Sequence, residues 1–233
     1  MDALLLACFA PPGPPRAVDL GCGCGPIGLA WLLKRNAWSQ AGVLGLDLNP
    51  AMIQSAQING RMLGLHDSFD ARLADIRDLG ELDPESADLV LANPPYRRPG
   101  SGRANPSQAK RSARFEEQGD LKDFAAAAAR LLCNKAPLCM IHLAEHLPRV
   151  LGVCTSFRLE PKRVRCVHSR QQDAARLVLV EARKNGKPGL TLEAPLFLYH
   201  GNTNRLTDQA LAFCPFLACN AGSHSPEPCE TLP

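Results

Sequence analysis

No apolar run in this 233-residue chain approaches the ~20 residues needed to span a bilayer. Met1 to Phe9 is apolar but has no basic leader, and Pro11-Pro12-Gly13-Pro14-Pro15 follows at once, so a secretory signal is not expected. Ten cysteines are present, yet none form a Cys-x-x-Cys pair and no four-ligand zinc spacing occurs. No metal is therefore expected, and scattered thiols of this kind suit a reducing, cytoplasmic compartment. There is no internal repeat and no linker that would divide the chain. A large excess of one charge is also missing. Lys and Arg number 26 against 23 Asp and Glu, for a net charge of +3. That total is weak as a sign of a nucleic-acid partner, and the distribution of charge says more.

What is present suits one large α/β domain. Hydrophobic residues make up 45% and charged residues 21%, both ordinary for a globular chain. A short apolar helix is predicted over Asp2 to Phe9, with prolines ending it. Strands are predicted at Arg16 to Leu20, Val43 to Asp47, Phe69 to Ala74, the run ending at Ala92, and Leu138 to Leu143. Helices are predicted at Leu29 to Asn36, Asn49 to about Leu63, Leu121 to Cys133 and Glu145 to Leu151. Arg158 to His168 and Ala174 to Ala182 read as an antiparallel hairpin at a sheet edge. Leu190 to Tyr199 reads as irregular or weakly extended, a short helix is predicted near Asp208 to Phe213, and Ala221 to Pro233 reads as a disordered tail.

Two stretches carry chemistry. The first is Asp19-Leu20-Gly21-Cys22-Gly23-Cys24-Gly25-Pro26-Ile27-Gly28. Strand, glycine loop, helix is the opening of a nucleotide-binding βαβ unit. Glycines let backbone approach a ligand, and the helix N-terminus leaves N–H groups unpaired. Asp47, about 20 residues on, can accept from both hydroxyls of a ribose. The second is Asn93-Pro94-Pro95-Tyr96, which ends an apolar strand. Two prolines cannot donate to a sheet ladder, so the strand stops there. In an α/β sheet, ligands bind outside such carboxyl ends. The Asn93 side-chain oxygen and the Pro94 carbonyl can both accept from a planar NH2 group, and the Tyr96 ring can stack on the plane that carries it.

Gly23-x-Gly25-x-x-Gly28 followed by Asp47 also fits a dinucleotide, so an NAD-binding oxidoreductase competes. Asp19 at the strand end would repel a pyrophosphate but suits the ammonium of an amino-acid-like ligand. Asp75, at the end of the third strand, is placed to hold an adenine amine. Hydride transfer has no use for Asn-Pro-Pro-Tyr. Taken in order, Asp19 with Gly21, Gly23 and Gly25 for methionine, Asp47 for ribose, Asp75 for adenine and Asn93 beside the sulfonium specify S-adenosylmethionine.

These stretches, with Gly45-Leu46-Asp47-Leu48-Asn49-Pro50, resemble the class I methyltransferases. More narrowly they resemble the bacterial group that methylates adenine N6 next to the anticodon of a valine tRNA. Asp2-Ala3-Leu4-Leu5-Leu6-Ala7, Gly100-Ser101-Gly102-Arg103, Ala113-Arg114-Phe115-Glu116, Pro161-Lys162-Arg163, Val167-His168 and Leu177 to Ala182 also look like that group, and the likeness runs from Asp2 to Tyr199. The resemblance implies a Rossmann-like, seven-stranded, mostly parallel sheet with an antiparallel last strand and helices on both faces. It divides the chain into a methyltransferase domain, 1–200, and a partly disordered extension, 201–233. Members of the group usually carry a site-lining segment ahead of the position of Asp2.

The implied reaction is displacement of the sulfonium methyl by an exocyclic adenine amine in RNA. Asn93 and Pro94 would hold the amine, Pro95 would stiffen the loop, and Tyr96 would stack on the flipped base. Between Arg97 and Phe115 there are six basic residues and no acidic one. Arg97, Arg98, Arg103, Lys110, Arg111 and Arg114 could neutralise phosphates, with Lys162, Arg163, Arg165 and Arg170 as a second group. A solvated loop accounts for most of them equally well. His168 is expected to be structural. A protein glutamine N5-methyltransferase uses the same Asn-Pro-Pro-Tyr, but typically with an added N-terminal helical domain. DNA adenine methylation is a third possibility, though no sequence-recognition domain is found, and a non-catalytic RNA-binding protein is a further alternative. The chain is expected to act as a monomer or weak homodimer.

Overall fold

The computed structural model describes residues 1–34, 41–80, 82–96 and 120–220. The basic stretch from Arg97 to Arg114 and the expected tail from Ala221 lie outside them. Among the described residues, the helices are α1 (Asp2–Phe9), α2 (Pro26–Lys34), α3 (Pro50–Met62), α4 (Leu121–Leu131), α5 (Leu147–Ser156) and α6 (Asp208–Phe213). The strands are β1 (Arg16–Leu20), β2 (Gly42–Asp47), β3 (Phe69–Leu73), β4 (Leu89–Ala92), β5 (Pro137–Leu143), β6 (Leu159–His168), β7 (Ala175–Lys184), β8 (Thr191–Leu192) and β9 (Leu196–Phe197).

They form one sheet in the order β3-β2-β1-β4-β5-β7-β6-β8, with β9 also on β6. β1 to β5 run parallel, and β7 is antiparallel to both β5 and β6. The seven-stranded plan with one reversed strand is thus present. The expected antiparallel hairpin is present at that end of the sheet, with β7 against β5 and β6 outside it. Among the described residues the sheet has nine strands rather than seven: two-residue β8 and β9 take up outer hydrogen bonds of β6, which would otherwise be an open edge.

Successive residues on a strand point to opposite faces, and the two cores follow that alternation. On β5, Cys139 and Ile141 join α1, α2, α3 and α6 on one face, while Leu138 and Met140 join α4 and α5 on the other. β4 is buried throughout, as an internal strand covered on both faces must be. Local chemistry starts the helices. The Asn49 side chain accepts from the Ala51 N–H, with Pro50 at the first helical position. Asp120 and Asp123 form a reciprocal capping box on α4. α2 begins at Pro26, three residues earlier than the apolar pattern indicates, for the same reason as α3.

α1 is packed between α2 and α6 and is almost entirely apolar. Lys34 donates to the Cys8 and Ala10 carbonyls, and the Trp31 indole to that of Pro11, so α1's C-terminal end is tied to α2. Ala210, Cys214 and Leu217 are fully buried in the same core as Leu5 and Leu6.

Candidate active site

The strand order reverses direction at β1, whose neighbours are β2 and β4. A crevice opens at such a switch point. Here it is a cavity of about 340 Å³ lined by Gly21, Asp47, Leu48, Ala74, Ile76, Asn93, Pro94, Pro95, Tyr96 and Phe124. Gly21 of the glycine loop, the β2 carboxylate and the Asn-Pro-Pro-Tyr turn therefore line one cavity, while the expected Gly23 and Gly25 are not among its lining residues.

Gly21 has φ +65°, and a Cβ there would stand 3.2 Å from the Phe124 ring. Only glycine leaves the turn low enough for α4 to close over it. Asp47 is nearly buried and rigidly held: one oxygen accepts from the Gly23 N–H at 2.8 Å, the other from the Asn49 N–H at 2.8 Å. A carboxylate offers about four lone-pair sites, so acceptor capacity remains for ligand hydroxyls.

Asp19 is not among the lining residues. It is fully buried beneath the loop, with Oδ2 accepting from the Gly28 N–H at 3.1 Å and Oδ1 without a partner among the described residues. Burial pushes its pKa up to about 7, the Gly28 hydrogen bond opposing and Asp47 adding to the rise. Asp75 turns toward Arg77, at 2.6 Å, and that guanidinium holds its carboxyl below the usual range. Its neighbours Ala74 and Ile76 face the cavity in its place.

Asn93, Pro94, Pro95 and Tyr96 converge on the cavity mouth. The Tyr96 hydroxyl lies 2.9 Å from Asn93 Oδ1 and 2.9 Å from Asp2 Oδ2. Its ring packs against His142 at 5.2 Å, and His142 against His146 at 5.3 Å. Burial above all, then His146, lowers the His142 pKa to about 4, so that ring is neutral at physiological pH.

The second basic group is held inside the fold. Arg163 donates to Glu181 at 2.8 Å, to Glu193 at 2.9 Å and to the Phe9 carbonyl at 3.0 Å, with its guanidinium over the Phe9 ring. Arg165 pairs with Glu193, and Lys162 donates to the Lys187 and Gly189 carbonyls. Arg170 donates to the Thr203 carbonyl at 3.2 Å. Open positions for phosphates are thus replaced by intramolecular partners at Lys162, Arg163 and Arg165. His168 sits against Phe197 with Nδ1 at the Asp173 carbonyl. Leu48, Ile76 and Phe124 line the cavity without having been singled out in the sequence. The first two directly follow strand-end acids and could have been found. Phe124 carries no local signal, since α4 brings it there from another part of the chain.

Residues 2–113, just under half of the chain, match the family model described as a methyltransferase small domain. The fold matches a crystal structure titled a predicted O-methyltransferase from Agrobacterium tumefaciens, with a TM-score of 0.75 over 92% of this chain and 96% of that one, at 22% identity. A geranyl diphosphate methyltransferase solved with SAM matches at a TM-score of 0.54 and 16% identity, over 78% and 84% of the two chains.

Among curated proteins the chain is similar to the tRNA1(Val) (adenine(37)-N6)-methyltransferases. It is 28% identical over 153 residues to that of Yersinia pseudotuberculosis serotype O:3, covering 65% of this chain and 57% of the relative. The Yersinia pestis (strain Pestoides F) protein matches at the same identity over 58% of its length. The chain thus spans under two thirds of the curated relatives it matches.

Proposed function

We propose that the protein transfers a methyl group from S-adenosylmethionine to the exocyclic N6 of an adenine in RNA, with tRNA near the anticodon as the substrate and the cytoplasm as the place of action. The observation that carries the proposal is the convergence of Gly21, Asp47 and Asn93-Pro94-Pro95-Tyr96 on one cavity. The relatives' names support adenine N6 as the acceptor.

The residues present fit the cofactor. The Gly21 turn offers close backbone approach beside Phe124, Asp47 offers a fixed carboxylate for two hydroxyls, and Leu48 and Ile76 offer apolar walls for a flat ring. Asp19 acts through the loop, whose helix start it holds by the Gly28 N–H. When bound, the sulfonium supplies an electrophilic methyl.

Adenine N6 is a poor nucleophile, because its lone pair is delocalised into the ring. Two acceptors at the cavity mouth, the Asn93 side-chain oxygen and the Pro94 carbonyl, would draw both N–H groups out of the ring plane and leave the lone pair aimed into the cavity. Pro94 and Pro95 restrict the turn so that both acceptors stay in place. Alignment of this kind accounts for about 7–11 kcal/mol in well-oriented pairs. Tyr96, braced by neutral His142, offers a ring edge or face to the unstacked base.

The test is tritiated methyl transfer to total tRNA from a strain lacking the gene, followed by nucleoside analysis. N6-methyladenosine is expected. Label in protein glutamine instead would move the assignment to the amide substrate. Asn93→Ala should lower turnover by at least ~100-fold while leaving the affinity for S-adenosylhomocysteine within about threefold. Near wild-type turnover in that variant refutes the clamp.

A further inference from the structure

The Tyr96 hydroxyl has one proton and two acceptors within 2.9 Å: Asn93 Oδ1 and Asp2 Oδ2. Only one of them can receive it. Burial and the adjacent Asp2 raise the Tyr96 pKa further above its ordinary value, so the phenol stays protonated at working pH. A carboxylate is the stronger acceptor, since charge-assisted O–H···O⁻ bonds are roughly twice as strong as neutral ones. The proton therefore goes to Asp2. The oxygen of Tyr96 then presents a lone pair to Asn93 at 2.9 Å, and a carbonyl oxygen at that place would set lone pair against lone pair.

The contact becomes favourable when the carboxamide is turned by half a rotation. Oxygen and nitrogen of an Asn side chain are nearly isosteric, and the choice between them is made by the surrounding donors and acceptors. With Nδ2 on the Tyr96 side, Asn93 donates to the phenol at a normal N–H···O distance. The oxygen moves to the other branch of the amide. That branch has no hydrogen-bond partner among the described residues, and Asn93 lines the cavity.

We propose that Asp2 is a positioning residue for Asn93: through the Tyr96 hydroxyl it fixes the carboxamide with its oxygen toward the cavity, which selects an acceptor-facing site suited to an incoming NH2 group. The chain of donors runs one way, Asn93 to Tyr96 to Asp2. It ends on a charge at the first position of α1, 94 residues before Tyr96 in the chain. A negative side chain in the first turn of a helix is itself favourable. Replacing Asp2 by a neutral amide permits the reverse order. Asn at position 2 can donate to Tyr96, Tyr96 to Asn93 Oδ1, and the Asn93 NH2 then faces an amine that is also a donor.

This inference rests on the methyl-transfer reading for its kinetic test but not for its spectroscopic one. In the kinetic test, methyl transfer by Asp2→Asn should fall at least ~10-fold in kcat, with S-adenosylhomocysteine affinity within about twofold of wild type. Asp2→Glu should recover to within about threefold. Tyr96→Phe should lose as much as Asp2→Asn, and the double variant should be no worse than Tyr96→Phe alone, because both act in one chain. A kcat within about twofold of wild type for Asp2→Asn overturns the proposal, as does full additivity in the double variant.

In the spectroscopic test, protein labelled with ¹⁵N at asparagine gives a side-chain NH2 signal for Asn93, assigned by its loss in Asn93→Asp. One of its two protons should show the downfield shift of a hydrogen-bonded amide. That shift should vanish in Tyr96→Phe and change in Asp2→Asn while the backbone spectrum is preserved. An Asn93 signal indifferent to both substitutions overturns the proposal. If the wild-type protein methylates no RNA, the function fails, and the NH2 signal still decides the network.

Discussion

Asp19 is the residue whose chemistry departs most from its position in the chain. It stands at the end of a strand before a glycine loop, where a ligand contact is the natural expectation, yet it is fully buried with one oxygen unpartnered among the described residues. Its pKa is raised to about 7 from an unfolded value near 3.8. Below about pH 4 the carboxyl is protonated in both states and its contribution is fully present. As pH rises toward 7, the unfolded chain releases the proton while the folded one retains it, and stability is lost. Asp19→Asn should therefore flatten the pH dependence of the urea midpoint between about pH 4 and 7. At about pH 8 it should be the more stable protein, by on the order of a few kcal/mol at most. A wild-type and variant pair with parallel pH profiles would contradict this. Asp75 makes the complementary point: an acid at a strand end was legible, but Arg77 two residues later turns it aside. Such local pairing is visible only in the side-chain geometry.

At the scale of elements, the site belongs to strand ends and the turns after them. The β1 to β5 strands were legible because apolar runs are punctuated by Gly, Pro and Asp. What could not be read was which distant element meets which. Arg163 lies in a basic stretch, which invites a phosphate reading. The antiparallel register of β6 and β7 sets it opposite Glu181, and the following chain adds Glu193. Its Nη2 donates to the Phe9 carbonyl at the C-terminal end of α1. Arg163→Ala should thus destabilise the fold by roughly 1–3 kcal/mol, since it leaves buried carboxylates less compensated. It should leave the salt dependence of RNA binding unchanged when measured on folded protein. If Arg163 instead neutralised a phosphate, the substitution would lower the slope of log affinity against log salt by about one. Phe124 and α4 were equally hidden, since nothing near Phe124 announces that it closes over Gly21.

The whole molecule is a single sheet with unequal coverings: four helices on one face and two on the other, among the described residues. No described helix is long and apolar enough to cross a membrane. The cavity lies at the switch point between the halves, so a ligand there contacts β1, β2 and β4 turns together and stabilises the native state as a unit. At about 100 times its dissociation constant, S-adenosylhomocysteine should contribute about 2.7 kcal/mol. For a chain of this size that raises the thermal midpoint by roughly 5–10 °C. NAD at the same concentration should leave it unchanged. A rise with NAD and none with S-adenosylhomocysteine would return the glycine loop to a dinucleotide. Both oxygens of Asp47 are already anchored by amides from two different turns, so the acceptor is assembled in advance. In the proposed role, capture of a ribose would freeze the visitor and not the host, and the entropy lost on association would fall mainly on the small molecule.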